Sequence, residues 1–441
     1  MHKKLTILIS LTFILWTGTT LSAFAQAPTA FERDRGRTML TMIKADLKKH
    51  YYDADFHGMD VDARFKAAEE KMKEATSQGQ ILGIIAQVLA DLDDSHTYFV
   101  PPGKSSTVEY GWQMQMIGDK CFVVAVKPGS NAETVGLKEG DEIVSIDGIG
   151  PIRQNFWKIQ YSYQALRPRA GMRLVVVKPD GNERQLDVMA KVTEGKRVVD
   201  LTDESGNDFA DLIRQQENQE RLDSHRYYEL GEDLMIWKMP AFDLGEAKVD
   251  EMLGRAKKRK ALVLDLRGNG GGYETTLLRM ISNVFDRDIK LGDVKRRKEI
   301  KPVIAKTRGG NDVFPGKLVV LIDSKSGSAA ELFARIVQLE KRGTVIGDVS
   351  SGAVMRARSH RHEVGVDTVV FFGASVTDAD IVMTDGKSLE RVGVVPDELK
   401  VPTPQHLAGK LDPVLSYAAS LVGVKISPEK AGSLFPIEWR K

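Results

Sequence analysis

The segment Leu321-Ile-Asp-Ser-Lys-Ser-Gly-Ser-Ala-Ala-Glu-Leu332 crowds small residues into the step from an apolar strand to a helix that begins near Ser328. A serine at such a step is exposed and close to the positive end of the helix dipole. If its own N–H and that of Ala329 point outward, the hydroxyl can attack a carbonyl carbon while backbone donors hold the oxygen that becomes negative. The plainer use of a serine there is a helix N-cap. A second turn, Asp265-Leu-Arg-Gly-Asn-Gly-Gly-Gly272, follows the apolar run Ala261–Leu264 and precedes another helix. Its bare N–H groups, Gly270 and Gly271 foremost, suit an anion or a developing oxyanion. Adjacent glycines also make an ordinary loop, and the run matches neither a dinucleotide fingerprint nor a phosphate loop.

A serine hydroxyl needs a base. Leaving out His2 near the start, the histidines are His50, His57, His96, His225, His360, His362 and His406. Only His96 sits in a tight polar turn at the end of an apolar helix, where the hydroxyls of Asp94-Ser-His-Thr97 can fix the ring. Lys325 stands three residues before Ser328, but its side chain is expected to point to solvent. His360 and His362 share one face of an apparent strand and, with Glu363, suggest a metal pair. Spacing supplies no third ligand, so a polar strand face is the expectation and no metal is assigned. Cys121, the single cysteine, lies in an apolar run and reads as strand core rather than a reactive thiol.

The elements that must position these groups fall into blocks. Apolar residues recur at helical spacing from Phe31 to about Leu92, and Pro101-Pro-Gly103 ends that region. From Val108 to Val192 short β-like runs, Cys121–Val126, Glu142–Ile146 and Arg173–Val177, alternate with glycine turns. The polar stretch Asp200 to Arg226 reads as a linker or solvated helix. Beyond it strands Leu234–Met239, Ala261–Leu266 and Lys317–Ile322 alternate with helices Glu246–Lys258, Thr275–Val284 and Ala329–Leu339, which is α/β layering.

Composition bounds the partners. Across 441 residues, 63 Lys+Arg face 61 Asp+Glu, and 42% of residues are hydrophobic. Neither nucleic acid nor an anionic membrane surface is an expected main partner. Lys3 and Lys4, the apolar run Leu5 to Trp16 and Ala23-Phe24-Ala25 form a secretory signal peptide over 1–25. The expected location is therefore the periplasm or the cell exterior, with no membrane span after cleavage.

Together these residues resemble the tail-specific, C-terminal-processing serine peptidases and their relatives of the tricorn core type. The likeness runs from about Tyr51 to Pro404. It comprises Leu92-Asp-Asp-Ser-His-Thr97, a PDZ-like middle, the glycine turn, Ser326-Gly-Ser-Ala-Ala-Glu331 and Glu390-Arg-Val-Gly-Val-Val-Pro-Asp397. By this resemblance Ser328 corresponds to the nucleophile, and Gly270, Gly271 and Ala329 to the oxyanion hole. The best-known members use a lysine in a Gly-Lys-Gly context downstream. Here the stretch reads Gly347-Asp-Val-Ser-Ser-Gly-Ala-Val354, with Ala353 where the lysine would stand. The tricorn-like branch draws instead on a histidine and a glutamate, present as Ser95-His96 and Glu390. An imidazole works near neutral pH without a large pKa shift, which favours His96 as base with Glu390 acting on the ring or through Ser95.

The expected architecture is a multidomain α+β protein. A crotonase-like α/β (ββα spiral) peptidase domain (227–425) carries an inserted PDZ-like β-rich domain (106–195) and an N-terminal helical domain (26–105). A linker (196–226) and a C-terminal tail (426–441) complete it. In the PDZ-like part Tyr110, Gly111 and Trp112 are expected to meet a chain end added as a strand. The function expected is an exported serine endopeptidase acting on polypeptides and their C-terminal ends, without metal or organic cofactor. The alternative is a catalytically inactive peptide-binding scaffold of the same build.

Overall fold

The helical spacing between Phe31 and Leu92 resolves into α1 (Ala30–His50), α2 (Val61–Lys73) and α3 (Gln78–Ala90). Each starts on a side-chain acceptor, Thr29, Asp60 or Ser77, that receives the N–H three residues on. Their inner faces, with Ile43, Leu47, Phe65, Ile85 and Leu89, share one core with Phe372, Ala374 and Val376. Those three alternate along a strand and so point to one face of a sheet. The helical segment, expected as a domain of its own, thus shares its core with that sheet.

This computed structural model describes residues 28–103, 106–166, 168–194, 224–365 and 369–439. The expected signal peptide and most of the expected linker lie outside the described residues. Among the described residues no helix is long and apolar enough to cross a membrane.

After β1 (Tyr98–Val100), strand β2 (Ser106–Glu109) leads into the β-rich unit. There β3 (Trp112–Ile117), β4 (Lys120–Val126), β5 (Glu142–Ile146), β6 (Gly171–Val177) and β7 (Glu183–Met189) form an antiparallel sheet in that order. Helices α4 (Asn131–Thr134) and α5 (Arg153–Tyr161) interrupt it. Strand β8 (Lys191–Glu194) pairs with β2, so the chain enters and leaves the unit side by side. Cys121 is buried there, and burial pushes its thiol up to about 12, as expected of a core cysteine.

Strands β9 (Arg226–Leu230), β10 (Leu234–Lys238), β11 (Ala261–Asp265), β12 (Ile289–Lys295) and β13 (Ile300–Ala305) come next. They are followed by β14 (Lys317–Ile322), β15 (Thr344–Gly347), β16 (Met355–Val364), β17 (Val370–Met383) and β18 (Glu398–Leu399). One sheet has the order β18-β15-β14-β11-β10-β9 and is parallel except at β9. The unbroken apolar runs of β11 and β14 match strands covered on both faces. In the second sheet β17 pairs antiparallel with β1, β12 and β16. The segment expected as a tail folds back instead, with helix Pro428–Leu434 burying Ala431 against Val414, Leu415 and Ala418 under the parallel sheet.

Candidate active site

In the parallel sheet Asp265, the last residue of β11, lies opposite Leu321 of β14, and Gly347 of β15 lies opposite Ile322. The glycine turn, the serine turn and the loop 348–354 therefore leave the sheet side by side at its carboxyl edge, where open α/β sheets form their sites. Asn269, fully buried, ties the first two together. Its side-chain amide donates to the Met239 carbonyl at 2.9 Å, its Oδ1 accepts the Gly271 N–H at 2.8 Å, and its carbonyl accepts the Gly327 N–H at 2.9 Å.

Ser328 has φ 52° and ψ −119°, a left-handed conformation that a non-glycine residue adopts only under constraint. An ordinary N-cap is extended, so the torsions argue against plain capping. The constraint is visible. The Ser328 N–H donates to the Ala353 carbonyl at 2.8 Å and faces Glu331 Oε2 at 3.0 Å. It is turned inward, which corrects the expectation that it points outward. Gly271, expected among the oxyanion donors, is corrected too, since its N–H is held by Asn269. The N–H groups of Gly270 and Ala329 have no acceptor among the described residues. A Cβ on Gly271 would stand 2.5 Å from Ser328 Cβ and 3.0 Å from the Ala329 nitrogen, so only glycine leaves that space open.

Glu331 is the residue that sequence reasoning used only as a marker. Buried in the first turn of helix Ala329–Leu339, it accepts from Ser350 Oγ at 2.5 Å, Gly352 N–H at 2.7 Å, Ala353 N–H at 3.0 Å and Ser328 N–H at 3.0 Å. Burial pushes its carboxyl up to about 7, against those hydrogen bonds. It fastens loop 350–353 to the serine turn, and Ala353 contributes its backbone rather than an amine.

His96 arrives from the other sheet. The buried Asp94 carboxylate accepts the N–H groups of His96 and Thr97 and the Thr377 hydroxyl of β17, fixing the turn between α3 and β1. Ser95 Oγ donates to Glu390 Oε2 at 2.7 Å and lies 2.7 Å from His96 Nδ1. With its one hydrogen committed to the carboxylate, the Ser95 oxygen can only accept from the ring, so Nδ1 carries the proton and Nε2 the lone pair. Glu390 also accepts the Ser95 N–H at 2.7 Å and the Val354 N–H at 2.9 Å. Burial raises its carboxyl above the usual range and lowers the His96 pKa, the latter with help from Arg391 and against Asp94.

The expected residues are thus brought into one neighbourhood by adjacent backbone groups. The Ala353 carbonyl holds Ser328, and the next N–H, that of Val354, holds Glu390. In this conformation no hydrogen bond joins Ser328 Oγ directly to His96. Such catalytic contacts commonly tighten only with substrate in place.

Lys325 does not point to solvent as expected. It lines a groove of about 300 Å³ with Tyr110, Trp112, Met114, Tyr163 and Met172 of the β-rich unit. Burial lowers its pKa, with Asp323 opposing, and it makes no hydrogen bond to Ser328. Gly111 sits between Tyr110 and Trp112 at φ 71°, its carbonyl accepting the Lys127 N–H at 2.8 Å.

Residues 234–399, which carry every element of the site except the Ser95-His96 turn, match the sequence profile of Peptidase family S41. Over those residues the chain is similar to this family of peptidases. It is 23% identical over 354 residues to the tail-specific protease of Haemophilus influenzae, a match covering 76% of this chain and 47% of that one. It is 24% identical over 372 residues to the chloroplastic C-terminal processing peptidase of Tetradesmus obliquus, covering 79% and 73%. The chain therefore spans about half the length of the first relative and about three quarters of the second. Among solved structures, mature CPAF complexed with lactacystin superposes with a TM-score of 0.63 over 86% of this chain and 96% of that one, at 14% identity. That likeness concerns the fold, a mixed α/β arrangement of several sheets.

Proposed function

We propose that this chain is an exported serine endopeptidase that cleaves polypeptides through an acyl-enzyme. Ser328 Oγ attacks the scissile carbonyl carbon, and His96 Nε2 takes its proton. The N–H groups of Gly270 and Ala329 receive the oxyanion. The His96 imidazolium, stabilised through Ser95 by Glu390, then gives the proton to the leaving amine, and water repeats the sequence to release the acyl group. Preorganised donors of this kind are worth about 3–4 kcal/mol each at the barrier. The observation that carries the reading is the Glu390–Ser95–His96 chain, which leaves Nε2 unprotonated and shares Glu390 with the loop that grips Ser328.

In this reading the parallel sheet and its helices are the crotonase-like spiral, and the β3–β7 unit is PDZ-like. The groove beside Tyr110, Gly111 and Trp112 suits an extended chain end added along β3, with Lys325 as the one cation lining it among the described residues. Export rests on the signal-like residues 1–25.

The test is hydrolysis of an unfolded polypeptide followed by mass spectrometry of the products. Wild-type protein is expected to yield internal cleavages, with Ser328→Ala and His96→Ala both inactive. A folded wild type that binds peptides in the groove but yields no products at neutral pH would instead establish the scaffold alternative.

A further inference from the structure

Away from the serine, α1 and β16 bring together a second set of groups that the proposed reaction does not use. Asp46 and His50 are four residues apart on α1 and so share one face of the helix. His360 and His362 are two apart on β16 and share one face of the strand. The helix lies over that sheet, with Ile43 and Leu47 sharing a core with Phe372 and Ala374. Spacing alone left the histidine pair without a third ligand; the packing of α1 supplies one and a fourth candidate besides.

We infer that Asp46, His50 and His360 bind one divalent transition-metal ion, with zinc the best match, and that His362 orients the Asp46 carboxylate. One ligand atom from each of the three lies within 4.8 Å of the others. A tetrahedral ion with bonds of about 2.0 Å needs ligand atoms about 3.3 Å apart, a contraction within reach of side-chain rotation. His360 Nδ1 is 3.8 Å from Asp46 Oδ1, too far for a hydrogen bond, and the His50 and His360 rings stack with centroids 4.5 Å apart. The buried His360 Nε2 has no hydrogen-bond partner among the described residues. Two imidazoles stacked around one carboxylate, with a ring nitrogen left unbonded, make a poor hydrogen-bond network but a reasonable ligand set.

His362 Nε2 lies 2.5 Å from Asp46 Oδ2, the oxygen not facing His360. That is the geometry of an outer partner holding a ligating carboxylate. Arg358, two residues before His360, is engaged by Asp378 at 2.9 Å, which tempers a strand charge opposing a cation.

An ion here would pin α1 to β16. The strand begins one residue after Val354, which donates to Glu390, and His360 lies six positions beyond Val354, a span of about 20 Å. The ion is therefore a clamp between the helical segment and the strand leading out of the catalytic loop, not a participant in peptide cleavage.

The experiment uses untagged protein stripped by chelator dialysis, titrated with Zn²⁺ by calorimetry and with Co²⁺ by visible absorption. Expected are one ion per chain, the intense visible bands of tetrahedral cobalt lost on adding Zn²⁺, and a Tm that rises with Zn²⁺. His360→Ala and Asp46→Asn should each weaken binding at least tenfold, His362→Ala about 10–100-fold, and a distant control, His406→Ala, not at all. Should a variant fail to fold, His50→Gln, on the helix surface, gives the same reading. Failure of the wild type to bind, or binding by His50→Gln and His360→Ala as tight as that of the wild type, would overturn the inference and leave the proposed peptidase activity untouched.

Discussion

Glu390 reaches the His96 ring through the Ser95 hydroxyl, 2.7 Å from Glu390 Oε2, rather than by direct contact. An alcohol inserted between carboxylate and imidazole passes on orientation and part of the charge, and it makes the tautomer of His96 depend on a residue that is neither acid nor base. Ser95→Ala should therefore lower kcat by about 10²–10⁴-fold with little change in KM, as expected when a ring loses its correct tautomer. Ser95→Thr, which keeps the hydroxyl, should recover most of the activity. Equal kcat in Ser95→Ala and wild type would remove Ser95 from the relay.

The pH profile follows from the environment of His96. Burial and the Arg391 charge lower its pKa, so the neutral base should persist below the ordinary 6.5, and the acid limb of kcat/KM should have its midpoint under that value. Arg391→Ala should move the midpoint upward. The same shift bears on stability. An unfolded imidazole takes up its proton near 6.5 while the folded one resists, so this contribution is full above 6.5 and declines as pH falls below it. A midpoint above 6.5 in the wild type would contradict the burial argument.

Glu331 has the opposite sign. With its carboxyl pushed up to about 7 in the folded protein against 4.5 unfolded, its contribution is full below 4.5 and declines as pH rises toward 7. Glu331→Gln removes that titration, so the Tm gap between wild type and variant should narrow from pH 5 to pH 8. Glu331→Ala leaves the Gly352 and Ala353 N–H groups without their acceptor, at about 1–3 kcal/mol each, and should lower Tm by several degrees and activity with it. An unchanged Tm would mean the loop is held by other contacts.

Much of this arrangement was legible in the chain itself. Apolar runs such as Ala261–Asp265 and Lys317–Ile322, each ending in a small-residue turn, announce parallel strands and the sites at their ends. Strand β17 was harder to read because Thr377 and Asp378 are buried within it, and that burial is made tolerable by Thr97 and Asp94, far away in sequence, for Thr377 and by Arg358 of the neighbouring strand for Asp378. The roles of Glu331 and Asn269 were hidden for the same reason, since their partners are backbone groups supplied by neighbouring loops. The inward turn of the Ser328 N–H depends on the Ala353 carbonyl, which no local pattern specifies.

Lys325 links the groove to the serine turn three residues away. Lys325→Gln should weaken binding of a peptide with a free C-terminal carboxylate by about tenfold, one ionic contact in a partly desolvated groove, while leaving the peptide amide unaffected. Fluorescence anisotropy with the two labelled peptides reads the difference. Equal loss for both would mean that the lysine serves packing rather than charge recognition.

The central claim is that Ser328 is a nucleophile activated by His96. A serine-directed phosphonate, followed by peptide mapping, tests it without knowledge of the natural substrate. The account predicts a single adduct on Ser328, absent in Ser328→Ala and formed at least 10²-fold more slowly in His96→Ala. No adduct on folded wild-type protein across neutral pH, or equal rates in His96→Ala, would contradict it.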